Sequence, residues 1–345
     1  MTFAELKVPA EKPRAAAPPP GRSELLDRHR VRVGEMLYWL TTLAVFFVFP
    51  EYLAFAAQVL ISALFVLSLD LILGFAGIIS LGHALYFGFA AYVVGLCSLH
   101  GWTEPISQTL LGGASAAALA AVTGPLILRL AGLPLIMVTL AFGVIAYEAA
   151  NKMTWLTGGD DGLPGVQVAP VFGIFRWTIF SETAYCYVLA WLFVMFVVAR
   201  RLVASPFGVA LQGIRENSRR MGLVGTPVLR QLVRVYIISG FMAGVAGALS
   251  TQTTKFVGLA VLSLDTSVGA LVMLVLGGVG RLYGGLVGAP IYMIVHHIAS
   301  QWNPYHWMFI IGGLLVVVVV FARGGILGIG DALVRWAGRR RGLSP

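Results

Sequence analysis

From Met36 to Leu73 the chain runs for 38 residues with only two charges, Glu51 and Asp70. A single bilayer-spanning helix needs about 20 apolar residues, so the run is too long for one span. Similar runs recur as far as Phe321. Of the 345 residues 58% are hydrophobic and 11% charged, whereas soluble domains carry about 25% charged residues. A transmembrane barrel would show segments of about ten residues with alternating polarity, and the sequence lacks that alternation. The chain therefore reads as an all-α polytopic membrane protein, and a soluble enzyme is excluded.

Apolar stretches predict helices near 34–50, 52–73, 81–99, 106–128, 132–150, 181–199, 233–253, 266–283, 285–300 and 305–322. The first pair turns sharply at Pro50-Glu51, and only Gly284 and Gly285 divide the eighth from the ninth. About ten spans are expected, with eight or nine open. Lys and Arg concentrate in cytoplasmic loops. An even count puts the tail's seven basic residues on one side with Arg129, the cluster Arg200, Arg201, Arg215, Arg219, Arg220, Arg230 and Arg234, then Arg281 and the C-terminal arginines. Lys152, Arg176 and Lys255 fall on the other side. Both termini are thus expected in the cytoplasm.

The expected organisation is a flexible tail over 1–33, a transmembrane domain over 34–325 and a basic tail over 326–345. The tail lacks the early apolar stretch of a cleaved signal. Two longer loops stand out, an outer one over 151–180 and an inner one over 200–234. The net charge of +9 suits topology and anionic lipid better than nucleic acid.

Catalytic signatures are missing. No lysine follows a glycine, so the phosphate-cradling G-x-x-x-x-G-K-[ST] loop is absent. Gly278-Val279-Gly280-Arg281-Leu282-Tyr283 begins like a dinucleotide fingerprint but places Tyr where the third Gly belongs. Adjacent His296 and His297 point to different helix faces. Cys97 and Cys186 lie in apolar runs and read as buried thiols. No cofactor, metal site or catalytic residue is expected.

Ionisable residues within spans are costly and often functional. Asp70, His83 and Glu148 line a solute path or, on the plainer reading, are satisfied by local contacts. Gly74-Phe75-Ala76-Gly77-Ile78-Ile79-Ser80-Leu81-Gly82-His83 joins two spans almost without a polar loop, which suggests a broken helix. Gly77 and Ser80 join the candidate path on that ground. Gly240, Gly244 and Gly247 make a small-residue face suited to close helix packing.

The inner loop contains an amphipathic segment. Ser205 can cap it and Pro206 suits its first turn. Val209, Ala210, Leu211 and Ile214 accompany Arg215, Glu216, Arg219 and Arg220. Such a helix can lie on lipid or dock into a partner. In the outer loop, Gly158, Gly159 and Gly162 permit tight turns, while Thr157, Asp160 and Asp161 offer polar groups to a docking protein.

Four stretches together resemble branched-chain amino acid ABC transporter permeases, specifically the second of the two permease subunits. They are Leu67–Ala84, Thr157–Leu163, Phe207–Asn217 continuing to Gly225, and Leu276–Gly284 with Gly288-Ala289. The family commonly has Asn where this chain has Asp70 and Pro where it has Gly285. The resemblance implies a multi-pass protein of the bacterial inner membrane that takes branched-chain amino acids, or urea, short amides or aromatic and other carboxylic acids. It implies a heterodimer with a homologous permease, two cytoplasmic ATPase subunits that supply the hydrolysis, and a periplasmic solute-binding protein. It also makes the segment with Leu211, Ile214, Arg215, Glu216, Arg219, Arg220 and Gly225 the ATPase-coupling helix. A gradient-driven secondary transporter or channel is the competing class.

Overall fold

The computed structural model describes residues 33–175, 177, 181–302 and the scattered positions 308, 309, 311–313, 315, 316, 325, 326 and 328. The N-terminal tail to residue 32, more than half of the expected tenth span and most of the C-terminal tail lie outside the described residues. Chain contacts separate residues 1–40 from 41–345. The first unit contributes the opening of helix α1, and the second holds every other element.

The described chain is almost entirely helical: α1 Val33–Val48, α2 Leu53–Asp70, α3 Ala84–Leu99, α4 Pro105–Ile127, α5 Leu133–Lys152, α6 Glu182–Ala204, α7 Pro206–Leu223, α8 Val228–Thr254, α9 Leu264–Gly277 and α10 Leu282–Trp302. Among the described residues six apolar stretches are helical for 18 residues or more: Pro50–Phe75, which contains α2, and α4, α5, α6, α8 and α10. Proline in the first turn starts α4, α5 and α7, where its missing N–H costs nothing.

Helices α2 and α8 form the centre, with most of their residues buried. The glycine face of α8 packs as its spacing predicts. A Cβ on Gly240 would stand 2.7 Å from Ala120 Cβ, one on Gly244 2.6 Å from Gly112 O, and one on Gly247 would overlap the Phe87 carbonyl. Without side chains at these positions, α8 approaches α4 and α3 at backbone distance.

The expected helix 81–99 begins only at Ala84, because α2 ends in a break. Its last residues open into a wider turn, Leu71–Phe75, and Gly77 adopts a left-handed φ of 75°. Helix α9 is also short, covering 264–277 rather than 266–283. At 16 and 14 residues, α3 and α9 are about 24 and 21 Å long, less than the roughly 30 Å hydrocarbon core. Their first turns meet, with Ala84 N–H donating to Ser267 Oγ at 2.9 Å.

Beyond α8, Phe256–Val257 (β2) pairs antiparallel with Leu163–Pro164 (β1), Leu163 opposite Val257. This ribbon caps one end of the bundle. Helix α7 lies at the other, since the 27 residues of α8 put about 40 Å between its two ends.

Two expectations from the sequence are corrected. Ser205 does not cap α7; its Oγ donates instead to Leu202 O at 2.6 Å, turning back onto α6. The thiols are not core residues, for Cys186 is exposed and Cys97 half-buried. The outward side of a membrane span is as apolar as its inward side, so an apolar run does not reveal which side a thiol occupies.

Candidate functional site

Three of the four sequence stretches converge at the α7 end. Asp70 closes α2 fully buried, and its Oδ1 accepts the backbone N–H of Gly280 at 2.7 Å. Its Oδ2 has no hydrogen-bond partner among the described residues. Arg215 of α7 donates through Nη1 to the Gly74 carbonyl. Gly280, with φ of 79°, lies in the turn between α9 and α10 that Gly278 opens with φ of 119°. The stretch that began like a nucleotide fingerprint is thus a helix–helix turn. Gly285 beside it faces α2, where a Cβ would stand 2.9 Å from Val66 Cγ1.

Above this junction runs a buried polar chain. His83 Nε2 and Ser68 Oγ share a hydrogen bond at 2.8 Å, and the imidazole stacks on Phe65. Tyr86 OH bonds Thr123 Oγ1 at 2.8 Å and Tyr236 OH at 3.0 Å. Ser80 is buried near the same group. Ser239 Oγ donates to Ser68 O at 2.6 Å. These contacts stitch α2, α3, α4 and α8 together in a region where an unpaired polar atom is expensive.

Helix α7 turns a mixed face outward, with Val209 and Leu223 exposed beside Arg215. Leu211 and Ile214 are buried in the chain's own bundle, while Glu216, Arg219 and Arg220 are exposed. Leu211 and Ile214, which the amphipathic pattern offers to a partner, instead anchor α7 to its own bundle, where the helix packs against α6, α8 and the turn at Leu71–Phe75. At Asn217 the helix breaks, with φ −157° and ψ 93°. Asn217 Oδ1 accepts the Arg220 N–H at 2.9 Å, capping a second short helix. Gly225, with φ of 91°, ends it: Gly225 N–H reaches Gly222 O and Thr226 N–H reaches Met221 O, the paired bonds of a Schellman stop.

At the capped end Gly158, Gly159 and Gly162 all have positive φ. A Cβ on Gly162 would overlap the Val257 carbonyl, so this loop lies directly on the ribbon. Thr157 is buried and donates to Met153 O at 2.9 Å. Asp160 and Asp161 are exposed. A cavity of about 220 Å³ opens between α5 and the start of α9, lined by Leu81, Leu140, Val144, Tyr147, Leu262 and Ser267 among others. Gly143 and Gly82 come together at its wall, where a Cβ on Gly143 would meet Gly82 Cα at 3.4 Å. Among the described residues no group of His, Cys, Asp and Glu could hold a metal ion.

Residues 52–319 match the family described as the permease component of the branched-chain amino acid transport system. The chain belongs to this family. The permease is 26% identical over 293 residues to the high-affinity branched-chain amino acid transport system permease protein LivM of Salmonella typhimurium, covering 79% of this chain and 69% of that one. It is 28% identical over 287 residues to LivM of Escherichia coli, covering 76% and 66%. A probable LivM of Methanocaldococcus jannaschii is 23% identical over 153 residues, 39% of this chain and 44% of that protein. No solved structure matches. Family and fold together make this a multi-pass ABC permease of the bacterial inner membrane.

Of the residues singled out in the permease sequence, Asp70 and Arg215 are brought into one junction, with Gly77 against the Arg215 stem. His83 is buried in the polar chain, and Ser80 is buried beside it, its Oγ without a hydrogen-bond partner among the described residues. Glu148 stands apart, exposed in the last turn of α5. Gly74, Gly280 and Asn217 lie inside the matching stretches, where the sequence assigns them no functional role. Positive φ at Gly280, backbone approach at Gly74 and a mid-helix Asn are their only signals.

Proposed function

We propose that the chain forms one half of the translocation path of an ATP-driven importer for branched-chain amino acids. A homologous permease forms the other half, two cytoplasmic ATPases supply hydrolysis, and a periplasmic solute-binding protein delivers the solute. The α7 end faces the cytoplasm, with both termini, and the ribbon end faces the periplasm. Glu216, Arg219 and Arg220 dock on an ATPase, and the loop with Thr157, Gly158, Gly159, Asp160 and Asp161 receives the binding protein. Below that loop the aliphatic side chain of the solute fits the apolar cavity at Val144 and Leu140, and the path continues past Ser80 and His83.

The observation that carries this reading is the orientation of α7. A helix lying on lipid turns its apolar face to the acyl chains. Here the inner part of that face, Leu211 and Ile214, is taken up by the chain's own bundle, and the outward surface carries Arg215, Glu216, Arg219 and Arg220 beside the apolar Val209 and Leu223, a mix of charge and apolar contact that suits a protein partner. The missing phosphate loop agrees with hydrolysis on another chain.

The test is reconstitution of the four kinds of subunit in vesicles, with leucine-loaded binding protein outside. Leucine uptake should require ATP on the ATPase side, and the purified permease alone should hydrolyse none. Uptake driven by an ion gradient without ATP would favour a secondary transporter instead. Uptake confined to urea, an amide or an aromatic acid would move the solute assignment within the family.

A further inference from the structure

A helix leaves its last four carbonyls without partners of its own. At the end of α2 the wider turn does not cure this, since Ile78 N–H reaches back to Ile72 O at 2.8 Å and passes over the later carbonyls. The Gly74 carbonyl finds its donor 141 positions away, in Arg215 Nη1. A cation at a helix C-terminus also complements the helix dipole. Arg215 is therefore a C-cap for the central helix, supplied from α7.

Three glycines make room for it. A Cβ on Gly77 would stand 3.0 Å from Arg215 Cγ, and one on Gly280 2.9 Å from Arg215 Nη1. One on Gly74 would fall on Asp70 Oδ1 and stand 2.6 Å from Gly280 N. Asp70 holds Gly280 in turn. Two side chains thus tie α7, the end of α2 and the α9–α10 turn together with no slack between them.

We propose that Arg215 is a positioning residue that carries displacement of α7 to the end of α2, and that Asp70 makes the α9–α10 turn follow. The proposal rests on α7 being the ATPase-docking helix, and it adds the route by which docking reaches the centre of the bundle. Glu216, Arg219 and Arg220 face the partner while the adjacent Arg215 grips the broken stretch. A tilt of the first half of α7 then pulls on the Gly74 carbonyl. Residues 76–83 form neither helix nor strand, so they can move without unfolding a helix. On this account Asp70 serves as a backbone acceptor rather than as a charge met by the solute.

The test uses the full complex in lipid nanodiscs and vesicles, comparing wild type with Arg215→Met, Arg215→Lys, Asp70→Ala and Asp70→Asn. Three readouts are taken: retention of the ATPases on purification, stimulation of ATP hydrolysis by leucine-loaded binding protein, and leucine moved per ATP. Arg215→Met should retain the ATPases yet lose stimulation by about tenfold or more, the scale of a hydrogen bond from a charged group. Arg215→Lys keeps a donor and should recover part of the loss. Asp70→Ala should fall likewise, and Asp70→Asn, which keeps an acceptor oxygen for Gly280, should recover. Full stimulation in Arg215→Met would overturn the proposal while leaving the docking reading intact. Loss of the ATPases from Arg215→Met would also overturn it, making Arg215 a docking or merely structural residue. A wild-type complex that retains no ATPase would overturn the docking reading and this proposal with it.

Discussion

Ala84 N–H donates to Ser267 Oγ at 2.9 Å, joining the first turns of two short helices across 183 positions of sequence. The first N–H groups of a helix have no partner within it, and inside a membrane protein water does not reach most of them. Ser267→Ala should leave the Ala84 amide unsatisfied and cost about 1–3 kcal/mol. Thermal unfolding of the detergent-purified permease reads this, and an unchanged midpoint would mean that another acceptor takes over.

The glycine face of α8 has no tolerance for side chains. Gly244→Leu drives atoms into Ala116 and the Gly112 carbonyl, and overpacking of this kind costs about 1–3 kcal/mol or more. Gly222→Ala, where a Cβ meets nothing within 4 Å, should be neutral or stabilising by up to about 1 kcal/mol. The pair of midpoints, compared side by side, tests whether close approach rather than glycine content matters.

Asn217→Ala removes the cap on the second half of α7 and should cost about 1 kcal/mol locally. Amide hydrogen exchange should quicken at 218–223 and stay slow at 208–214, where Leu211 and Ile214 are buried. Equal rates in the variant and wild type would show that the Arg219 and Arg220 segment is held by something other than its cap.

The ribbon-end loop offers two separable variants. Asp160→Ala with Asp161→Ala removes exposed charge without touching the fold and should weaken binding-protein docking and its salt dependence. Gly162→Ala has a left-handed φ to hold and the Val257 carbonyl to avoid, so it should also distort the ribbon. If the double aspartate variant transports normally at all ionic strengths, the loop is a connector.

Filling the apolar cavity by Val144→Trp should lower leucine uptake more than it lowers retention of the ATPases. Val144 is partly exposed on α5, so the larger ring can be accommodated without breaking the core. Equal uptake in the variant would remove the cavity from the solute's route.

The sequence alone determined the class of molecule and the order of its parts. Long uncharged runs admit little besides spanning helices, because hydrocarbon leaves backbone groups no partner but their own helix. The break at Gly74–His83, the packing face at Gly240, Gly244 and Gly247, and the charged row on α7 were all legible from local residue types. What only the tertiary structure decided was the direction each side chain faces. In a soluble helix polarity marks the outside, but a span is apolar on both sides, so Cys186 read as buried and is exposed. Leu211 and Ile214 likewise look available to a partner in the sequence and are buried in the folded chain. The pairing of Asp70 with Gly280, and of Arg215 with Gly74, joins residues more than 140 positions apart. No local pattern encodes such a pairing; it arises because glycine backbones let three distant segments approach within hydrogen-bond distance.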